Sequence, residues 1–356
     1  MDANMWHRHA RAQQPAPPEK LSLIDLRALS SAERDAHLGA LRDWLAASQF
    51  PTADARRVAA TMWNVVTTNA NSGPGAKTIV AVNAPNTIGK STAVRAWAHQ
   101  AYRQWIGQRI NDARLPSWSP EPGVHAHEVP VAWINLQSAA RIRDFNAQIL
   151  TYFGYPTDGP IRSLSTRIAG AIGRHRVRVL VVDDVHLLDT RFKDGREVLD
   201  HLKHVNTELG ERGATMVLIG ANLHDSPILA DPQIAGRLQA LEMAPFAVDT
   251  LEDKRAWQEF LVDVEQQLLP YLPAATDGLL AKTHVSRIWR RTQGFVGDVS
   301  ALLRGAVDAA AVDGTWTLHP SHLDGIALSQ RATFQEQSLL RGRRPGSGAP
   351  KSRDSQ

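Results

Sequence analysis

The chain of 356 residues contains no cysteine, which excludes a disulfide framework and any metal site built from thiolates. This absence suits a reducing cytoplasm, which is where we expect the protein to act. No apolar run approaches the length of about 20 residues that a membrane-spanning helix needs, and no signal-peptide pattern is visible. The net charge is only +4. Such a mild basic excess permits a nucleic-acid partner without requiring one.

The most informative stretch is an apolar run, Ile79 to Val82, followed by a loop that ends in Gly-Lys-Ser-Thr and by a helical pattern. A strand, such a loop and a helix N-terminus form a phosphate-binding site, because loop amides and the helix dipole attract an anion. Lys90 would reach the outer phosphates and Ser91 would bind Mg²⁺. The residues expected to bind the cofactor are Asn86, Thr87, Ile88, Gly89, Lys90, Ser91 and Thr92.

Two positions depart from the usual phosphate-binding loop. Ala84 stands where the pattern GxxxxGK[ST] has glycine, and Thr87 occupies a position that is often glycine. Because a Cβ atom restricts positive φ, we expect the loop to bend differently at its start. The alternative is an ordinary strand, turn and helix with a chance Gly-Lys-Ser sequence.

A second apolar run, Val177 to Val182, ends in the acidic pair Asp183-Asp184. The first carboxylate is expected at the carboxyl end of a parallel strand, beside the phosphate-binding loop, where it can hold the water shell of Mg²⁺. The spacing between the two motifs leaves room for one strand and helix. The pair therefore has the character of a Walker B motif.

Two further residues are candidates for catalysis. Asn222 follows the predicted strand Thr215 to Ile219, where P-loop ATPases often place a group that orients the attacking water; the alternative is a turn-forming Asn. Arg237 precedes a short strand predicted around Ala240 to Met243. Its guanidinium is well placed to reach a γ-phosphate on a neighbouring subunit, although a surface arginine is the alternative.

The pattern divides the chain into five parts. Residues 1–20 are predicted to be a disordered tail, in which His7 is solvated, and 21–70 a small helical region. The P-loop core covers 71–247, with 111–130 an irregular connection. A helical lid covers 248–330; its arginines Arg287, Arg290 and Arg291 are either phosphate sensors or a solvated basic face. Residues 331–356 are predicted to be a disordered basic tail.

Several stretches in this order resemble the TniB family, the AAA+ ATPases of bacterial transposition that are related to TnsC and MuB. They include the strand from Pro130 with the helix ending at Tyr155-Pro156, and the acidic pair followed by His186. Others are Leu202 to Leu209, the pair of segments Val217–Asn222 and Asp231–Arg237, and Thr292 to Gly297. The resemblance covers roughly residues 30 to 330.

The resemblance implies an α/β fold: a P-loop AAA+ parallel sheet flanked by helices, with a C-terminal helical lid and a small N-terminal helical region. It implies a protein that binds ATP and Mg²⁺, forms a ring or helical filament on double-stranded DNA, and presents that DNA to a DDE-type transposase. By position, Lys90, Ser91 and Asp183 would bind nucleotide and metal, and Arg237 would act in trans. Asp184 stands where the family usually has glutamate, and the shorter acid should slow hydrolysis.

DNA contacts are expected to be sequence-independent and made to phosphates. In related ATPases the helix after the second strand and the loop after Walker B commonly face the axial pore. The basic residues in these segments are Arg141, Arg143, Arg191, Lys193 and Arg196. Two alternatives stay open, namely a non-hydrolysing nucleotide switch that binds DNA and a helicase-loader-like ATPase.

Overall fold

The structure is a computed structural model, and it describes residues 1–188, 195–223 and 226–342. The chain divides into two compact units. The first comprises Met1–Gln14 and Pro51–Ala244, and the second comprises Pro15–Phe50 and Pro245–Gln356, the latter described as far as residue 342. No helix among the described residues is both long and apolar enough to cross a bilayer.

The centre of the first unit is a five-stranded sheet whose neighbouring strands are all parallel. Its order is β4-β5-β6-β1-β7, and β1, β5 and β6 are buried along their whole length. A strand was predicted at each of these three apolar runs, and runs of this kind form strands that are covered on both faces. The strands are β1 (Ile79–Asn83), β4 (Val131–Asn135), β5 (Val179–Asp183), β6 (Thr215–Gly220) and β7 (Leu238–Glu242).

Helices precede, connect and follow these strands. Because each crossover joins parallel strands, the carboxyl ends of β1, β5 and β6 lie at one edge, which we call the carboxyl edge, and the opposite edge is the amino edge. The helices are α1 (Ala3–Arg11), α4 (Ala53–Asn71), α5 (Lys90–Ile106), α6 (Ile142–Tyr152), α7 (Ile161–Arg174), α8 (Gly195–Gly210), α9 (Pro227–Ala230) and α10 (Pro232–Ala235), with short 3₁₀ turns at Gly107–Asn111 and Val185–Leu187.

The N-terminal segment is not a disordered tail, so this prediction is wrong for Ala3–Arg11. Trp6 is fully buried and its ring stacks on Trp133 of β4 at 5.6 Å between centroids. His7 is buried as well, with Nδ1 2.9 Å from the Tyr102 hydroxyl and Nε2 2.8 Å from the Asp112 carbonyl oxygen. The buried residues of α1 recur at helical spacing, a signal that was present in the sequence, and burial of their side chains orders a helix too short to be stable alone.

The connection at 111–130 contains an antiparallel hairpin that the sequence analysis did not predict. Its strands are β2 (Ser117–Glu121) and β3 (Val124–His127). Pro120 lies inside β2 and the strand is largely exposed, so neither apolar alternation nor turn chemistry indicated it.

The second unit is helical. Its core includes Leu41, Leu261 and Leu302, all fully buried, and residues 23–47 contribute to this core. A capping box precedes the helix that begins at Ser31, since Glu33 N–H lies 3.3 Å from Ser30 Oγ and Ser30 N–H lies 2.9 Å from Glu33 Oε2. The helices are α2 (Leu23–Ala28), α3 (Ser31–Ala47), α11 (Leu251–Leu268), α12 (Val285–Thr292), α13 (Val296–Val312), α14 (Pro320–Gly325) and α15 (Gln330–Gly342), with a 3₁₀ turn at Leu269–Tyr271 and a π-helical turn at Leu279–Thr283.

Two predicted boundaries therefore need correction. Residues 21–70 are not one helical region, because the boundary between the two units falls between Phe50 and Pro51. The tail predicted to be disordered from residue 331 is helical as far as Gly342. Its first turn is held by Arg331, which pairs with the buried Asp298 of α13. The rest of that predicted tail, 343–356, lies outside the described residues.

Candidate nucleotide-binding site

The loop between β1 and α5 has a left-handed backbone at two positions. Gly89, immediately before α5, has φ 93°, and Thr87 has φ 67°. Threonine is β-branched, so a positive φ there is a strained conformation that costs roughly 1–3 kcal/mol. Ala84 does not adopt a positive φ, and its N–H continues the β-ladder to the Gly220 carbonyl oxygen at 3.3 Å. Ala84 therefore needs no left-handed conformation, and the backbone strain of the loop lies at Thr87.

Lys90 begins α5 and is 93% buried, with a relative exposure of 7%. Its Nζ lies 3.3 Å from Asn86 Oδ1, a neutral partner in the same loop, and no carboxylate pairs with it among the described residues. A buried ammonium stabilised by one side-chain amide is poorly compensated for its loss of hydration. It therefore favours an anion at the N-terminus of α5, where the helix dipole acts in the same direction.

The predicted metal ligands lie together at the carboxyl edge. Ser91 Oγ donates a hydrogen bond to Asp183 Oδ1 at 3.0 Å, although the two residues are 92 positions apart in the chain. The contact bridges the start of α5 and the end of β5. The structure thus brings the loop and the acidic pair together.

Burial raises the pKa of the Asp183 carboxyl group, and the charge of Asp184 raises it further, whereas the hydrogen bond from Ser91 lowers it. Asp183 is only 4% exposed. Asp183 makes no ion pair with the described residues, and the charge of Arg95 has the smallest of the influences on its pKa, so a divalent metal ion would remove part of the cost of ionising the carboxyl group. Mg²⁺ commonly binds through one or two carboxylates together with phosphate oxygens and water, which fits this set of ligands.

Asp184 also has a left-handed backbone, with φ 58° and ψ 36°. Its N–H donates to the Asp183 side chain at 3.0 Å, which helps to fix the first carboxylate. Aspartate and asparagine tolerate this conformation better than longer residues do. The left-handed backbone therefore favours aspartate over glutamate at this position, and the shorter side chain also reduces the reach of the carboxylate.

Asn222 is exposed, with φ 53°, and lies in the segment that follows β6. Both adjacent amides are held by side chains. Leu223 N–H donates to Asn83 Oδ1 at 2.9 Å, and Ala221 N–H donates to His186 Nδ1 at 3.3 Å. Asn222 is thus positioned from β1 on one side and from the turn after the acidic pair on the other.

Asn83 is the residue of this network that the sequence analysis missed. It ends β1, is 5% exposed, and its Nδ2 donates to Glu242 Oε2 of β7 at 2.9 Å. One side chain thus connects the carboxyl ends of β1 and β7 to the segment after β6. Its one sequence signal was a polar residue ending an apolar strand, a common feature of strand ends.

Arg237 lies at the other end of the sheet. It directly precedes β7, and its carbonyl oxygen accepts a hydrogen bond from the Ile79 N–H at the start of β1, at 2.8 Å. Five residues of β1 separate this amino edge from the phosphate-binding loop, a distance of about 16 Å. The side chain is exposed. Arg237 therefore lies at the edge of the sheet opposite the phosphate-binding loop of its own chain.

Of the predicted DNA-binding residues, two stand in or next to the N-terminal turn of α6. Arg141 and Arg143 are exposed, and Arg143 Nη1 donates to the Gly159 carbonyl oxygen at 2.8 Å. The loop before them is bridged to the segment after β5, since Ala140 pairs with Leu188. The described ends of the two predicted pore segments, Ala140 and Leu188, are thus adjacent. Arg196 is exposed in α8, whereas Arg191 and Lys193 lie outside the described residues.

The three arginines that were candidate phosphate sensors form ion pairs within the second unit. Arg287 pairs with Asp324, and Arg290 and Arg291 both contact Glu336, at 3.2 and 3.3 Å. Such contacts stabilise helix packing, so the structure does not single out a phosphate sensor among the three arginines. The described residues contain no cluster of three or more His, Asp or Glu side chains that could hold a metal ion.

The family model described as bacterial TniB protein matches residues 49–248, more than half of the chain. No curated protein matches the chain. Among solved structures, the Aeropyrum pernix ORC2 protein in ADPNP and ADP complexes has a TM-score of 0.51 and 12% identity, covering 81% of this chain and 69% of its own. That identity supports a shared fold and nothing further.

Two other solved structures are more distant. Drosophila ORC bound to DNA has a TM-score of 0.47 at 12% identity, over 79% of this chain and 66% of that one. The Walker-type ATPase of Pyrococcus abyssi has a TM-score of 0.39 at 12% identity, over 81% and 75%. Neither adds to the argument. The family match, together with the parallel sheet and the motifs at its carboxyl edge, shows that the chain belongs to the TniB family and has the P-loop AAA+ ATPase fold.

Proposed function

We propose that this protein is an ATP-dependent, DNA-binding regulator of DNA transposition. It binds ATP with Mg²⁺, oligomerises on double-stranded DNA, and recruits or activates a DDE-type transposase while hydrolysing ATP slowly. The observation that carries nucleotide binding is the contact between Ser91 and Asp183 beside the buried Lys90. Membership of the TniB family supports the role in transposition.

In this proposal, Lys90 and the amides at the start of α5 bind the phosphates, and Ser91 and Asp183 hold Mg²⁺, which neutralises phosphate charge. Asn222 orients the attacking water, and its neighbours Asn83 and His186 keep it in place. Arg237 supplies a guanidinium to the site of the next subunit. Each subunit is therefore completed by another copy of the chain, which makes hydrolysis depend on assembly.

Asp184 is the residue that would accept a proton from the water. Because its side chain is one methylene shorter than glutamate, the carboxylate stands farther from a water at the γ-phosphate, so turnover is slow. The same feature supports a second candidate function, a nucleotide switch that binds DNA and does not hydrolyse ATP. The left-handed backbone at Asp184 fits both candidates.

The first experiment measures DNA binding. The purified chain, with ATP and Mg²⁺ at low salt, is expected to form rings or filaments on duplex DNA under the electron microscope, and Lys90→Ala is expected to abolish them. Lack of DNA binding by the parent protein under these conditions would refute the proposal.

The second experiment compares turnover of the parent protein with that of Asp184→Glu. A large increase supports a slow ATPase, and no turnover in either protein supports the switch. The left-handed backbone makes the glutamate variant less stable by about 1 kcal/mol, so its unfolding midpoint is measured alongside.

A further inference from the structure

Five arginines lie near the amino edge of the sheet, at the end opposite the phosphate-binding loop. Arg174 ends α7 and Arg178 precedes β5, where its carbonyl oxygen accepts from the Thr215 N–H at 2.9 Å. Arg212 lies in the turn before β6, next to Gly173 of α7. We call these three residues, with Arg109 and Arg176, the amino-edge arginines; all five are exposed.

Two of these guanidinium groups are held over tryptophan rings. Arg176 Cζ lies 3.7 Å from the ring centroid of Trp118 in the hairpin, and Arg178 Cζ lies 5.3 Å from that of Trp105. The Trp118 indole N–H donates to the carbonyl oxygen of Arg174 at 3.0 Å, which fixes the hairpin to the end of α7. Arginines placed in this way lose less conformational entropy when they bind an anion.

Carboxylates neutralise this surface only in part. Glu128 contacts Arg109 at 2.7 Å and Arg176 at 3.8 Å, and Glu208 contacts Arg212 at 3.1 Å. Arg174 and Arg178 make no ion pair with the described residues. Among the described residues, these five arginines thus form ion pairs with two carboxylates, which leaves part of their positive charge unpaired at this edge of the sheet.

We propose that the amino-edge arginines bind the phosphate backbone of duplex DNA. Arginine is suited to this role because its planar fork of donors matches two phosphate oxygens. The proposal rests on the proposed function for its choice of DNA, and it adds a contact surface at the edge opposite the predicted pore segments. A filament could use it to hold a second stretch of DNA.

The surface is separate from the residue proposed to act in trans. Arg178 precedes β5 and Arg237 precedes β7, and two strands, β6 and β1, lie between them. Three strand spacings correspond to about 14 Å. Substitutions at Arg174 and Arg178 should consequently leave assembly and ATP turnover unchanged.

The test is the double variant Arg174→Gln/Arg178→Gln. Its matched control is Arg34→Gln/Arg255→Gln, which removes the same charge from exposed positions of the second unit. Binding to a fluorescent 60-base-pair duplex is measured by anisotropy between 50 and 200 mM salt. Loss of two phosphate contacts should lower affinity about tenfold and reduce the slope of log K against log salt by about 1.8, whereas the control keeps the parent slope.

Each other outcome overturns the inference. If the double variant and the control bind with equal affinity and slope, the amino edge does not contact DNA, while the proposed function stands. If the parent protein does not bind DNA, the proposed function fails and this inference with it. If light scattering shows that the double variant no longer self-associates, the surface binds a second copy of the chain. A loss of affinity for polyglutamate alone would indicate an acidic protein partner.

Discussion

Charged groups have different partners at the carboxyl edge of the sheet and in the second unit. At the carboxyl edge of the sheet, Lys90 is bonded to the amide of Asn86 and Asp183 to the hydroxyl of Ser91, so each charge has a neutral side-chain partner. In the second unit, the buried Asp298 pairs with an arginine, as does the half-buried Glu336. Asp298 and Glu336 are thus neutralised by arginines within the second unit, whereas the charges at the carboxyl edge form no ion pair with the described residues.

Left-handed residues show the same contrast. In the second unit, two of them follow helices, Gln293 after α12 and Gly314 after α13, where they close the helix. At the carboxyl edge, Thr87, Asp184 and Asn222 follow strands and surround the candidate site. Strain and open charge in one place are what a ligand-binding site needs, because the ligand can compensate both.

The largest expected effect on ATP binding concerns Lys90, which is compared with Lys77, a second buried lysine on the other side of β1. Lys77 Nζ donates to Ser72 Oγ at 2.7 Å and to the carbonyl oxygens of Ser72 and Gly73, whereas Lys90 has the single partner Asn86. Lys90→Ala should weaken ATP binding about 100-fold, the loss of a charge-assisted contact, and should change unfolding free energy little. Calorimetric titration with ATP and urea unfolding measure the two quantities.

The control is Lys77→Met, which keeps the apolar stem and removes the hydrogen bonds. It should lower the unfolding free energy by about 2 kcal/mol and leave ATP affinity within about twofold. If both variants lose ATP affinity equally, the number of hydrogen-bond partners does not distinguish a lysine that binds nucleotide from one that stabilises the fold.

The next effect concerns a charge that the second unit satisfies. Arg331 pairs with Asp298, which is 4% exposed, and its guanidinium lies 3.5 Å above the ring centroid of Phe295. Arg331→Met should therefore cost about 3 kcal/mol of unfolding free energy, because it leaves a buried carboxylate unpaired. Urea unfolding of the full chain gives this value.

An exposed pair from the same unit provides the comparison. Arg42 contacts Asp308 at 2.6 Å, but both side chains are open to solvent, so Arg42→Met should cost less than about 0.5 kcal/mol. Equal losses in the two variants would show that Arg331 does not compensate a buried charge.

These contrasts also show what could be predicted from the sequence. The strands β1, β5 and β6 were predictable because each is an apolar run that ends in polar residues, and parallel strands bring such ends together. Lys90, Ser91 and Asp183 followed from that rule. The same rule does not indicate to which of the two units each helix belongs.

What could not be predicted depends on contacts between distant residues. Docking of α1 requires the match between Trp6 and Trp133, 127 positions apart. The role of Asn83 depends on Leu223 and Glu242, which only the folded sheet brings to it. The helical spacing within α1 is visible in the sequence, but the partners of Trp6 and Asn83 are not.

A smaller effect should come from the network around Asn222. Asn83→Asp keeps an acceptor for the Leu223 N–H but places a carboxylate against Glu242, which should cost about 1–2 kcal/mol and lower kcat several-fold with little change in KM. The double variant Asn83→Asp/Glu242→Gln restores a donor and an acceptor with the charge of the parent protein, so kcat should recover. A double variant slower than Asn83→Asp would contradict this role.

The smallest effect is a pH dependence of stability at α1. Burial lowers the pKa of His99 to about 4, with further lowering by the charges of Arg103, Arg95 and His9, and its ring contacts Trp6 at 4.6 Å between centroids. The unfolded chain takes up a proton near pH 6.5 and the folded chain only near pH 4, so stability should fall as pH decreases between these values. Solvent screening of this half-buried ring limits the loss to about 1 kcal/mol.

The variant His99→Phe removes the titrating group while keeping an aromatic ring beside Trp6. Unfolding free energies at pH 7 and pH 5 should then differ less than in the parent protein. His201 is the matched control, because burial also lowers its pKa to about 4 but its contacts lie at α6, away from α1. Hydrogen exchange of the α1 amides at pH 5 should be faster in the parent protein and in His201→Gln than in His99→Phe. Equal exchange in all three would show that His99 does not hold the N-terminal helix.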